Sequence, residues 1–359
     1  LSTYLPVALN DYPPYLLYGE RGLAGRDVYD LLGQDYNAYY GWTVGPNIND
    51  VRFARMVWCV NDYYLYTLGY ANQITQAAQS DAGHVLGRVW LIFNEPENAW
   101  MSTTYTNTVN GEGWQCGDYP LEGNPPFPSF SNRRVADHPE EAAVRYSMIY
   151  DWIKNNDPTA KVFTGGLLWI HNTQGRNWWI TFINTLASRN ELYKLEGVHI
   201  HGYPGWSTGG GCASPYCIRE LAQQFNTWYE AYHVGLGLGD LPIWITETDA
   251  ASAGNLCTQA GSPPTPTWNS QAWMTATNQI MKPLSWWFAG DTQWPYTDVQ
   301  TNPGYESVFW FIPGGSDPYI QQFWCSFLED GHLQGIPPTL TPLGEYWRTY
   351  DLQPLGEEQ

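Results

Sequence analysis

The chain has 359 residues, enough for one large barrel or two ordinary domains, and enough to bury a sizeable core. Its 16 basic and 35 acidic residues leave a net charge of −19, which argues against nucleic acid and anionic membrane surfaces, because both recruit basic patches. Only 14% of residues are charged while 16% are aromatic; such a surplus suits a groove lined with planar rings, and sugars, with apolar faces and hydroxyl edges, are the ligands that rings serve.

In chain order, short apolar runs bounded by turn residues predict strands at 15–19, 37–42, 53–60, 88–94, 161–167, 197–203, 242–248 and 284–289. Helical spacing between them predicts helices at 63–79, 139–155, 176–188, 218–232 and 269–281, with 340–350 as a closing helix. Pro139 suits the first turn of its helix. The alternation argues for a parallel sheet with crossover helices, and eight strands predict an α/β fold, the (β/α)8 TIM barrel. One domain is expected over residues 1–359, with 1–14 as an extended N-terminal segment. Long segments at 101–138, 248–268 and 291–338 follow late strands, on the face where barrel enzymes build their sites.

No run of about 18 apolar residues occurs, so no membrane insertion is expected. The chain opens at Leu1 without a basic leader, and its six cysteines form an even set with no zinc spacing. Both features lead to the expectation of a secreted or extracytoplasmic protein with disulfide bonds. Cys212 and Cys217 flank a four-residue turn and are expected to pair locally. Cys59 with Cys116 and Cys257 with Cys325 are the further expected pairs, on neighbouring loops of the barrel.

Two apolar strands end in glutamate. Arg88-Val-Trp-Leu-Ile-Phe-Asn-Glu-Pro-Glu97 places Glu95 at one strand end, and Pro242-Ile-Trp-Ile-Thr-Glu-Thr-Asp249 places Glu247 at another. Period-two alternation groups Glu95 with Phe93 and Leu91, and Glu247 with Ile245 and Ile243, so both carboxylates would point into one barrel mouth. Two facing carboxylates are the minimum equipment for glycoside hydrolysis: one protonates the leaving oxygen, while the other, ionised, attacks or stabilises the oxocarbenium centre.

Asn94-Glu95-Pro96 on one strand and Thr246-Glu247 on a later one resemble clan A of the glycoside hydrolases, retaining (β/α)8-barrel enzymes. The resemblance implies that Glu95, after strand four, is the acid/base and Glu247, after strand seven, the nucleophile. It also implies that Asn94 holds a sugar 2-hydroxyl. Gly197-Val-His-Ile-His-Gly-Tyr-Pro204 is similar to the clan's strand six and implies that His201 and Tyr203 stand beside the nucleophile. Leu284-Ser-Trp-Trp-Phe-Ala-Gly290 is similar to its strand eight, whose tryptophan forms the floor under the reacting sugar; Trp286 and Trp287 both fit, with Trp287 preferred. The clan's arginine at the end of strand two matches Arg52 or Arg55, which differ in parity. Within the clan, the order of motifs from Tyr-Tyr-Gly-Trp42 and Ala-Arg-Met-Val-Trp58 onward most resembles the "glycosyl hydrolase catalytic core" family that includes endo-β-1,3-glucanases. Trp58, Trp100, Trp114, Trp169, Trp206 and Trp294 are candidate subsite platforms, as they fall in mouth loops.

The expected partner is a β-linked polysaccharide or oligosaccharide, cleaved within the chain by a monomeric enzyme with no cofactor and no metal. Two alternatives compete. One is a carbohydrate-binding barrel without turnover. The other is a metal-dependent hydrolase built on His199-Ile200-His201, although further ligands are scarce and His199 is expected to be a satisfied core residue beneath His201.

Overall fold

The computed structural model describes residues 21–24, 38–45, 53–60, 63–83, 87–98, 116, 134–203, 215–248 and 305–311. Eight parallel strands hydrogen-bond in chain order and close on themselves: β1 Arg21–Ala24, β2 Ala38–Tyr40, β3 Phe53–Val57, β4 Val89–Ile92, β5 Lys161–Leu167, β6 Gly197–His201, β7 Ile243–Thr248 and β8 Tyr305–Phe311. The ring closes where β1 pairs with β8, Ala24 opposite Phe311. β3, β4, β5 and β6 are each followed by a helix: α1 Tyr70–Asp81, α2 Pro139–Asn156, α3 Thr173–Ser188 and α4 Pro215–Tyr232. None of the described helices is long and apolar enough to cross a membrane.

Two expected strands are corrected. The ring begins at Arg21–Ala24 rather than at 15–19, and ends at Tyr305–Phe311 rather than at 284–289. Arg-Gly-Leu-Ala carries no β-branched or aromatic residue, so its conformation comes from pairing on both sides, whereas 15–19 is richer in strand-favouring residues. Segments 15–19, 269–281, 284–289 and 340–350 lie outside the described residues. The expected helix at 63–79 is split: a π-helical turn over Tyr63–Thr67 precedes α1, and Gly69, at φ +76°, stands between them in the left-handed region.

The sheet separates two cores by side-chain parity. Ala24, Tyr40, Ala54, Met56, Val89, Leu91, Phe163 and Trp244 fill the barrel interior. The alternate residues, among them Val57, Trp90, Ile92, Val162, Val198, Ile200 and Ile243, pack against Ile74, Tyr146, Trp178, Trp179, Phe182, Phe225 and Trp228 of the helices. Much of the described aromatic surplus is therefore core rather than groove. Arg55 belongs to this outer layer: fully buried, it pairs with Asp81 at the end of α1 at 2.6 Å, and Arg88 pairs with the same carboxylate at 2.8 Å. That corrects Arg55 as a mouth residue; Arg52 lies outside the described residues. Cys59, just past β3, is bonded to Cys116, as expected, and ties the β3 end to the long segment after β4. The other two expected pairs involve positions outside the described side chains.

Candidate active site

Both glutamates reach the mouth, but not by simple alternation. Leu91 faces the barrel interior, whereas Phe93 packs edge-on against Trp178 and Phe182 on the helix side. Phe93 (φ +82°) and Glu95 (φ +52°) both take left-handed backbone, and these two reversals turn Glu95 back over the barrel. On β7, Ile243 and Ile245 also face the helices. Ile200 lies opposite Ile245 and His201 opposite Glu247, so Thr246 is an extra residue, and this bulge re-aims Glu247 into the mouth.

A third irregularity supports the first. On β5, Gly165 lies opposite His199 and Leu167 opposite Ile200, leaving Gly166 as the extra residue, at φ +58°. A Cβ there would sit 2.9 Å from the carbonyl oxygen of Phe93 and 3.1 Å from the Asn94 Cα. Only glycine permits that approach, and the Gly166 carbonyl uses it to accept the Glu95 amide at 2.9 Å.

Glu95 and Glu247 are buried and face one another around His201. One ligand atom from each of the three lies within 4.8 Å of the other two. The His201 Nδ1 is 3.2 Å from Glu95 Oε1 and 3.5 Å from Glu247 Oε2. Burial works against a charge on His201, but Glu247, Glu95 and Glu97 outweigh it and raise its pKa above the ordinary 6.5. Three donors converge on Glu247: the Tyr40 hydroxyl at 3.0 Å and the Trp42 indole at 3.0 Å reach Oε1, and the Tyr203 hydroxyl reaches Oε2 at 2.5 Å. Burial and the neighbouring Glu247 push the Tyr40 phenol well above its usual range, so it remains a donor. Glu95 Oε2 accepts from the Asn98 amide at 2.8 Å.

His199 lies directly beneath. The Ile92 carbonyl can only accept, so His199 Nε2 carries the hydrogen in their 3.1 Å contact, leaving Nδ1 to accept from the Thr246 hydroxyl at 3.1 Å. Burial holds its pKa down to about 3, so it is neutral and internally satisfied. With His199 spent in this way, the His-x-His pair offers no bidentate metal site. Among the described residues, Glu95, His201 and Glu247 could surround a cation, yet the oxygens of Glu247 already face three donors.

Of the other expected site residues, Asn94 is buried beside Glu95. Trp58 is half-buried past the end of β3 and packs near Tyr64, with ring centroids 6.1 Å apart. Trp169 is half-buried just past β5. Trp100, Trp114, Trp206, Trp286, Trp287 and Trp294 lie outside the described residues, and with the eighth strand at Tyr305–Phe311 the strand-eight argument for Trp287 loses its basis. Tyr40, Trp42 and Asn98 bond the two glutamates although sequence reasoning gave none of them a role; Tyr40 and Trp42 stood within the Tyr-Tyr-Gly-Trp motif, the one signal that could have drawn attention to them.

No protein-family model matches the sequence, and no curated protein matches it. Solved structures do. A GH128 (subgroup III) curdlan-specific exo-β-1,3-glucanase from Blastomyces gilchristii matches at 14% identity and TM-score 0.40, over 81% of this chain and 89% of its own. A GH128 (subgroup VII) oligosaccharide-binding protein from Cryptococcus neoformans matches at 12% and 0.47, over 94% and 96%. A thermostable xylanase mutant from Cellvibrio japonicus matches at 12% and 0.47, over 87% and 93%. The likenesses thus fall among glycoside hydrolases and their relatives, the group that the motifs resemble, and at these identities and scores they carry no functional weight.

Proposed function

We propose that the protein is a clan A retaining glycoside hydrolase on a full (β/α)8 barrel, secreted and monomeric, that cleaves β-linked polysaccharide within the chain. The observation that carries this reading is the buried pair Glu95 and Glu247 on the ends of β4 and β7, with oxygens within 4.8 Å of each other. Inverting enzymes hold their carboxyl groups about 6.5–9.5 Å apart to admit a water, and retaining ones about 5–5.5 Å. A nearest-oxygen separation below 4.8 Å is in keeping with the closer, retaining arrangement.

In this mechanism Glu247, oriented by Tyr40, Trp42 and Tyr203, attacks the anomeric carbon. The glycosidic C–O bond breaks as Glu95 delivers its proton to the leaving oxygen, and a glycosyl ester to Glu247 results. Water then attacks the ester with Glu95 as base, releasing the sugar and restoring both carboxyls. His201, whose charged form is favoured by its acidic neighbours, balances the negative charge that moves between them. Asn94 is assigned to the sugar 2-hydroxyl, with Trp58 as a platform. Endo action rests on the aromatic content and the long mouth segments. Proton NMR of the first product from a β-linked oligosaccharide tests retention: β-anomer first is expected, and α-anomer first overturns it.

A further inference from the structure

Glu97 has no part in the mechanism above, yet it is fully buried two residues beyond Glu95. Its Oε1 accepts two backbone amides, those of Leu168 and Trp169, each at 2.6 Å. Its own carbonyl accepts from the Gln174 side chain on α3 at 3.1 Å. These bonds cross from the turn after β4 to the turn after β5, beside the bond between the Glu95 amide and the Gly166 carbonyl. The two turns are therefore clamped twice, once on each side of the strained Glu95 backbone. Asn98, the next residue, holds the Glu95 carboxylate itself. Trp169, whose amide is one of the two captured, keeps its ring half-buried past the strand end, edge-on to His171 at 5.3 Å.

We propose that Glu97 is a positioning residue: its buried carboxyl latches the β5 turn to the β4 turn, and so fixes Glu95 and the ring of Trp169, a candidate sugar platform, at one spacing across the mouth. The part of this concerning Trp169 and turnover rests on the hydrolase reading; the latch does not. Removing the carboxyl takes away the acceptor that both turn amides use, and bonds of this kind tighten a turn more than a surface contact can. The side chain faces Glu95 and His201 as its charged neighbours: Glu95 disfavours its charge, and His201 favours it.

The test is hydrogen exchange on the peptide covering residues 165–172, with steady-state kinetics on a cleaved glycan, for the parent, Glu97→Ala and Glu97→Gln. Alanine leaves both amides unpaired, so exchange there should quicken at least tenfold and kcat per folded molecule should fall at least tenfold. Glutamine keeps an acceptor oxygen and should restore both to within about threefold of the parent. Parental exchange in Glu97→Ala overturns the latch, whatever the activity. Quickened exchange with parental kcat and KM overturns the coupling to Glu95 and Trp169. If the alanine variant does not fold, Glu97→Asp, one methylene shorter, takes its place, and parental exchange in it overturns the latch equally. A parent that cleaves no glycan contradicts the hydrolase reading and with it the role in turnover, while the exchange arms still decide the latch.

Discussion

The Glu95 amide donates to the carbonyl of Gly166 at 2.9 Å, across a gap that a single methyl group would close. The general acid proposed here is thus held by a glycine on a neighbouring strand. Gly166→Ala must force a Cβ against the Phe93 carbonyl and the His199 ring while keeping φ at +58°. It should lose about 1–3 kcal/mol of stability in urea unfolding, and the surviving folded protein should show lowered kcat. Stability within experimental error of the parent would mean that the turn relaxes freely.

The donors on Glu247 should matter singly. A hydrogen bond to a charged group contributes about 1.5–3 kcal/mol, so Tyr203→Phe and Tyr40→Phe should each lower kcat/KM by about 10- to 100-fold. Tyr40 shares its one hydroxyl hydrogen between Glu247 and the Thr246 carbonyl, 2.7 Å away inside the bulge, so its variant should lose stability as well; Tyr203→Phe should not.

How much of this was legible in the residues differs by element. β5 was read at its true bounds, although it runs through Gly165 and Gly166 to Leu167, and α2 to within one residue because Pro139 marks its start. β1 was not, since Arg-Gly-Leu-Ala becomes a strand only between two partners. The two glutamates were found from their motifs while the alternation argument failed for both. Extra residues at Gly166 and Thr246, and the reversal at Phe93, shift parity, and no local pattern announces a bulge. Tyr40 and Trp42 meet Glu247 across more than 200 residues of sequence, a contact created by ring closure alone.

Opposing titrations should shape stability between pH 3 and 7. His199 has its pKa lowered to about 3 by burial, so the unfolded chain takes up the proton first, and its contribution, full above about 6.5, is lost as pH falls toward 3. Glu97 has its pKa raised to about 7, chiefly by burial, so the native state keeps its proton longer. Its contribution is full below about 4.5 and is lost as pH rises through 7. Urea unfolding across this range should give Glu97→Gln a slope of stability against pH more positive than the parent's by up to one proton between 4.5 and 7. An unchanged slope would show that Glu97 ionises alike in both states.

Asp81 pairs with two buried arginines, Arg55 and Arg88, behind β3 and β4. Asp81→Asn leaves both charges in the core and should destabilise by about 3–5 kcal/mol. Chemical denaturation checks it, and a loss below about 1 kcal/mol would mean that water or another group reaches the pair.

The central claim is that Glu95 and Glu247 break a β-glycosidic bond. The most direct measurement is product release from a panel of β-1,3-, β-1,4- and mixed-linked glucans, xylan, mannan and galactan, with the parent and Glu247→Ala side by side. Oligosaccharides from at least one polymer, absent with the variant, are the predicted result. No product from any polymer, with one of them still bound, would contradict the claim and identify a carbohydrate-binding barrel instead.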